Sequence, residues 1–79
     1  MIKVLFFARL REELACDSLS VDFAGSVAEL KAALLERGVA WSALEADNIV
    51  CAVNQSVAKD SQIIQAGDEV AFYPPVTGG

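Results

Sequence analysis

The sequence predicts a two-layer α+β domain, in which a mixed sheet of four to five strands carries one main helix on one face. Three observations carry this. β-Branched and aromatic runs open and close the globular part, at Ile2 to Ala8 and at Glu69 to Tyr73. A single amphipathic helix with clear start and stop residues lies between them. The chain's 79 residues allow one core and no second.

Ile2 to Ala8 reads as a central strand, because apolar residues occupy both of its faces. Arg9 to Ala15 is a short connector of helical character. Leu19, Val21 and Phe23 alternate with Ser18, Ser20 and Asp22, the period-two pattern of a half-buried strand. Ser26 followed by Glu29 is a capping box, and Val27, Leu30 and Leu34, with Ala33 beside them, form the apolar stripe of the helix it opens. Gly38 is the expected C′ residue. Val39 to Ala46 is a second short helical or irregular piece, with Trp41 and Leu44 packing inward. Asn48 to Val53 is a strand, Asn54-Gln55-Ser56 a turn, and Val57-Ala58 a short return. Ala66-Gly67-Asp68 turns into the last strand. Pro74-Pro75 ends it, since proline has no N–H for the ladder. With the helical crossover between strands two and three, the first and last strands are left to pair in the middle. That arrangement is the β-grasp, or ubiquitin-like, fold. The expected division is a domain over residues 1–73 and a flexible C-terminal tail over 74–79.

Charged residues fix which way each strand faces. Lys3 and Glu69 point away from the core, which by period two sends Leu5, Phe7, Ala71 and Tyr73 outward with them. Ile2, Val4, Phe6, Val70 and Phe72 then face the helix. In the third strand Asn48 and Asn54 mark the outer frame, so Ile49, Cys51 and Val53 face in. The helix-free face thus carries Leu5, Phe7 and Tyr73, with Val57 nearby. Aromatic residues on such a face fit a partner surface.

Composition points the same way. Hydrophobic residues make up 54% of the chain, and mean hydropathy is +0.43. Alanine accounts for part of this excess, but a domain of this size hides only about 60–65% of its unfolded surface, so an exposed apolar patch is expected. A net charge of −5 disfavours nucleic acid and anionic membranes and suits a basic protein partner. There is no histidine, so the usual general base and metal ligand is missing. Two cysteines cannot hold a structural zinc or an iron–sulfur cluster. Cys51 reads as a buried small hydrophobe and Cys16 as a loop residue, with a disulfide between them disfavoured. The opening apolar run is too short for a signal peptide or a membrane span, which gives a cytoplasmic expectation.

The chain closes Tyr73-Pro74-Pro75-Val76-Thr77-Gly78-Gly79. Two prolines hold the start of this tail extended, and its six residues after Tyr73 reach roughly 20 Å. Two glycines without Cβ atoms fit a narrow channel. They present a free α-carboxylate, a poor acyl donor until adenylation by ATP turns its oxygen into a leaving group, after which a sulfur nucleophile can displace AMP.

The sequence resembles the small, sulfur-carrying subunits of molybdopterin synthase. The matching segments are Met1 to Ala8 with Arg11-Glu12, then Ala52-Val53-Asn54-Gln55, Gly67-Asp68-Glu69-Val70-Ala71-Phe72, and Pro74 to Gly79. The helical middle matches in pattern only. The resemblance implies a non-catalytic subunit that binds no cofactor. An adenylating enzyme of the ubiquitin-activating type would use ATP to attach AMP to Gly79, and a sulfurtransferase step would leave a thiocarboxylate there. Pro75, Val76, Thr77 and Gly78 would thread into the active site of the large subunit. There the thiocarboxylate would donate sulfur to cyclic pyranopterin monophosphate, forming the dithiolene that later holds molybdenum. Two small and two large subunits form the usual complex. The resemblance also places Phe7, Val57 and Tyr73 on the partner contact surface, with Tyr73 where phenylalanine is often found. Three alternatives share parts of this pattern: the sulfur carrier of thiamin synthesis, a ubiquitin-like protein modifier joined through Gly79, and an interaction module with an idle tail.

Overall fold

In chain order, the residues that the computed structural model describes, 1–45 and 49–74, form strand β1 (Ile2–Phe6), helix α1 (Ala8–Leu14), β2 (Ser18–Val21), β3 (Gly25–Ser26), helix α2 (Val27–Leu35), a 3-10 helix (Val39–Glu45), β4 (Val50–Val53), β5 (Ser56–Val57), β6 (Ile63–Ile64) and β7 (Glu69–Tyr73). The main sheet has five strands in the order β2-β1-β7-β4-β5, and β3 pairs with β6 as a separate ribbon. The first and last strands lie together in the middle and run parallel, with Lys3, Val4, Leu5 and Phe6 opposite Glu69, Val70, Ala71 and Phe72. All other pairings in the sheet are antiparallel. The architecture is the α+β, β-grasp arrangement that the sequence predicts.

One face of the sheet builds the core. Ile2, Val4, Phe6, Cys51, Val53, Val70 and Phe72 are buried there against Val27, Leu30 and Leu34 of α2, Leu10 and Leu14 of α1, and Leu44 of the 3-10 helix. Fully burying each large side chain contributes about 1.5–3 kcal/mol before entropy is counted. Phe6 stacks on Phe72 with ring centroids 6.0 Å apart, and meets the half-buried Trp41 edge-on at 5.4 Å. The Arg37 guanidinium lies 5.1 Å from the Trp41 centroid on its outer side.

Helix α2 is held at its start by more than its own cap. The Ser26 hydroxyl accepts from the Glu29 N–H, and the Glu29 carboxylate accepts from the Ser26 N–H, so the capping box is complete. The N–H groups of Val27 and Ala28 donate to the carbonyls of Gln62 and Asp60, and Lys31 pairs with Asp60 at 3.0 Å. The segment before β6 is thereby stitched to the helix start.

Several elements depart from the sequence expectation. The first strand stops at Phe6 rather than Ala8, because Phe7 becomes the N-cap of α1 and Ala8 takes φ 53°. Helix α2 closes at Leu35 through tight bonds from Glu36 N–H to the Ala33 carbonyl and from Arg37 N–H to the Leu34 carbonyl. Gly38 is thus not the C′ residue. It sits one position beyond, with φ 149°, and its carbonyl accepts from Trp41 N–H at the start of the 3-10 helix. Strand β2 ends at Val21, leaving Phe23 half-buried against the core. The β3–β6 ribbon is an addition, as two-residue strands leave no period to read. Asn48, expected at the start of the third strand, lies outside the described residues, and β4 begins at Val50.

Gly25 has φ 150°, and a Cβ there would lie 2.9 Å from Glu29 Oε1 and 3.2 Å from Phe23 Cζ. Gly25→Ala should therefore destabilise the domain by about 1–3 kcal/mol, through backbone strain and displacement of the capping carboxylate. Urea denaturation checks this, and an unchanged midpoint would mean that neither the positive φ nor the displaced Glu29 side chain carries a cost.

Candidate functional site: the bare sheet face

Away from the helices, the register lines up one continuous row across the sheet: Ser18, Leu5, Ala71, Ala52 and Val57, from β2 to β5. With strands about 4.8 Å apart, Leu5 and Val57 stand roughly 14 Å from each other. The two alanines between them leave the middle of the row low. Ala52 is buried on this face despite pointing away from the helices, since Ala71 and Val57 flank it. The neighbouring row holds Val50 opposite Tyr73. Phe7 keeps extended dihedrals and its N–H donates to the Phe72 carbonyl at 3.2 Å, so it prolongs β1 by one residue and lands on the side opposite Phe6. The row on the other side holds Lys3 opposite Glu69.

Phe7 is 44% exposed and Val57 74%, while Leu5, Val50, Ala71 and Tyr73 are half-buried. The structure thus puts Phe7, Val57 and Tyr73 on one face with the chain leaving beside them at Pro74. Pro75, Val76, Thr77, Gly78 and Gly79 lie outside the described residues.

A polar cluster at the lower edge of this face was not anticipated. The β4–β5 turn has Asn54 at φ 50° and Gln55 at φ 71°, the left-handed pair of a tight hairpin. The Asn54 N–H donates to the Glu69 carbonyl at 2.7 Å, and its side-chain oxygen accepts from the Glu69 N–H at 3.0 Å. Its side-chain amide donates to Asp68 Oδ1 at 3.0 Å, while Asp68 Oδ2 accepts from the Gln65 N–H at 2.8 Å. The Gln65 N–H, and then the Asn54 amide, hold the Asp68 carboxyl below the usual carboxylate range. The available signal in the sequence was the residue type, as Asn and Asp are the side chains that bond turn backbone.

The remaining candidates for chemistry are sparse. Both cysteines are free, Cys51 buried in the core and Cys16 half-buried with its thiol 3.4 Å from the Ser18 carbonyl. Among the described residues no three His, Cys, Asp or Glu side chains gather in a metal-holding group, and no helix is long and apolar enough to cross a membrane. An open groove of about 470 Å³ runs between α2 and the 3-10 helix, with the Lys31–Asp60 pair on its rim.

These features define a ubiquitin-like β-grasp protein with a bare apolar sheet face at the exit of its C-terminal run. The ThiS family model matches residues 4–79. The chain belongs to that family. It is 44% identical over 82 aligned positions to the molybdopterin synthase sulfur carrier subunit of Escherichia coli K12, with both chains covered in full. The structure of small archaeal modifier protein 1 from H. volcanii superposes with a TM-score of 0.73 at 29% identity, covering 95% of this chain and 97% of that one. Subunits 1 and 2 of molybdopterin-converting factor from Helicobacter pylori, solved as a protein–protein complex, include a match with TM-score 0.72 at 23% identity, covering 99% and 97%, which speaks for the fold.

Burial pushes the Cys51 thiol up from 9.0 to about 11, against a smaller downward pull from Lys31 and with an upward one from Asp60. Between those values an unfolded thiol has lost its proton and the native one keeps it. Stability is therefore full below 9.0 and falls as pH rises toward about 11, by roughly 2–3 kcal/mol in total from this group. Urea denaturation across that window should show a shallower pH slope for Cys51→Ala than for the parent chain, and equal slopes would contradict the assignment.

Proposed function

We propose that this chain is the sulfur carrier subunit of a molybdopterin synthase. The observation that carries the reading is 44% identity to such a subunit along the whole of both chains, in a domain of the same family. The bare apolar face next to the chain exit supports it, because a carrier must be gripped by its partners while its tail reaches into their active sites.

The chemistry proposed for the tail needs no catalytic group of this chain. One carboxylate oxygen of Gly79 attacks the α-phosphorus of ATP in an adenylating partner, and pyrophosphate leaves. A sulfur nucleophile then displaces AMP from the acyl carbon: hydrosulfide gives the thiocarboxylate directly, whereas a protein persulfide gives an acyl disulfide whose S–S bond a second thiol cleaves, releasing the thiocarboxylate and forming a disulfide. The large subunit receives the tail through Pro75, Val76, Thr77 and Gly78; the thiocarboxylate sulfur displaces an oxygen substituent from a carbon of cyclic pyranopterin monophosphate, and water then cleaves the acyl–sulfur bond, leaving the sulfur on the pterin and restoring the Gly79 carboxylate. Neither ATP nor the pterin is a resident cofactor of this chain in this scheme. Phe7, Val57 and Tyr73 dock on the large subunit, and two copies of each subunit form the complex.

Mass spectrometry of the intact protein, after incubation with the adenylating enzyme, ATP and a sulfur donor, tests the tail chemistry. The expected product is heavier by the difference between sulfur and oxygen, carried on the C-terminal peptide. Deleting Gly79 should abolish it. A persulfide on Cys16 or Cys51 instead would overturn the thiocarboxylate reading. Likeness to an archaeal modifier protein favours one competing role, conjugation to lysines of other proteins. Isopeptide adducts in cell extract would establish that role.

Docking has its own test. Phe7 contributes little to the core, so Phe7→Ala should weaken binding of the large subunit by about 1–3 kcal/mol while leaving the melting temperature close to the parent value. Calorimetric titration against thermal melts separates the two effects. An unchanged affinity with a large drop in melting temperature would make Phe7 a core residue.

A further inference from the structure

We infer that Asn54, clamped by Asp68, is a positioning residue for docking: it holds the two-residue edge strand that presents Val57 to the partner. The inference rests on the docking role proposed for this sheet face.

Val57 is 74% exposed and sits on a strand of two residues at the edge of the sheet. Its attachments are few. Ser56 and Val57 pair with Val53 and Ala52, and the Ala58 N–H donates to the Cys51 carbonyl at 2.9 Å. A short edge element with so little pairing opens locally at small cost. An exposed anchor on such an element must be immobilised when a partner binds, and that ordering subtracts from affinity unless the free protein has already done it.

The Asn54 cluster does that ordering in advance. Asn54 is the first turn residue of the β4–β5 hairpin, three positions before Val57. Its backbone and side chain grip both the N–H and the carbonyl of Glu69, at the start of the central strand β7. Its amide is in turn held by Asp68, whose second oxygen is fixed by the Gln65 N–H. Three hydrogen bonds of 2.7 to 3.0 Å therefore tie the hairpin that carries Val57 to the start of the central strand, and a fourth of 2.8 Å, from the Gln65 N–H, fixes the Asp68 carboxylate that one of them uses. The left-handed backbone at Asn54 and Gln55 needs such support, since Gln is not a residue that favours this conformation. The cluster lies at the lower edge of the face, and Phe7 and Tyr73 lie at its upper end, so its action is confined to the Val57 side.

A double-mutant cycle decides the matter. Asn54→Gly keeps a backbone suited to positive φ and removes the side-chain clamp. Binding of the large subunit to the parent chain, Asn54→Gly, Val57→Ala and the double variant is measured by calorimetry on folded protein. Asn54→Gly should weaken binding about fivefold, and in the Val57→Ala background the same change should cost less than about twofold. Phe7→Ala should combine with Asn54→Gly multiplicatively. Loss of stability alone would not produce coupling to Val57 without coupling to Phe7. Affinity of Asn54→Gly within twofold of the parent, or equal effects with and without the Val57 side chain, would overturn the inference. Asp68→Ala, which frees the clamp without touching the turn backbone, goes through the same cycle in case Asn54→Gly does not fold. If Phe7→Ala and Val57→Ala both bind like the parent, the docking role of the face itself fails, and this inference with it.

Discussion

The parallel pairing of β1 with β7 is the constraint on which the rest of the molecule depends. It joins the two ends of the described chain at the centre of the sheet, with the Gly67 N–H donating to the Met1 carbonyl and the Lys3 N–H to the Asp68 carbonyl at one end. At the other end the Phe7 N–H reaches the Phe72 carbonyl. Parallel neighbours cannot be joined by a tight turn, so everything between them has to serve as the crossover and cover one face. Both helices and the 3-10 helix go to that face, and among the described residues nothing covers the opposite one. The point where the chain departs at Pro74 is consequently set by the best-packed strands in the protein.

Alternation along those two strands divides the work between the faces. Phe6 and Phe72 stack inside, while their sequence neighbours Phe7 and Tyr73 lie outside. A change on one set acts on stability, and a change on the other acts on what meets the surface. The family shares this fold, and fold does not specify substrate. The distinction between molybdopterin and thiamin chemistry therefore rests on identity to a molybdopterin synthase subunit along the entire chain, together with the Pro-Pro-Val-Thr approach to the final glycines.

Much of this was legible in the sequence because the signals were local. Lys3 and Glu69 fixed the strand frames correctly, since a charge on a central strand has one tolerable direction. Ser26 and Glu29 marked the helix start by residue type and spacing. What escaped was set by tertiary contact. Phe7 looks like strand and is extended, yet it caps a helix. Gly38 was the obvious stop, but the helix closes earlier through right-handed 3-10 bonds that need no glycine. Ala52 is buried on the solvent side because of its cross-strand neighbours, which no single strand reveals. The Asn54–Asp68 contact spans fourteen positions and is visible only once β4 and β7 are side by side. For residues 75–79 the signal is the composition Pro-Val-Thr-Gly-Gly itself, and the role proposed for them rests on the chemistry of a glycine carboxylate.

The face and the charge of the chain also fit each other physically. An apolar surface on a small domain invites self-association, and a net charge of −5 opposes it by mutual repulsion. That charge is kept off the central rows of the face: Lys3 opposite Glu69, and the Asp68 carboxylate held by the Asn54 amide and the Gln65 N–H, lie at its lower edge. Burying the apolar rows in a complex therefore desolvates no isolated carboxylate, which would cost several kcal/mol per ion. Charge at long range and apolar contact at short range thus both disfavour a like-charged partner and favour one of opposite sign with an apolar docking patch. A second copy of this chain offers the apolar patch without the opposite charge, and so meets one condition of the two.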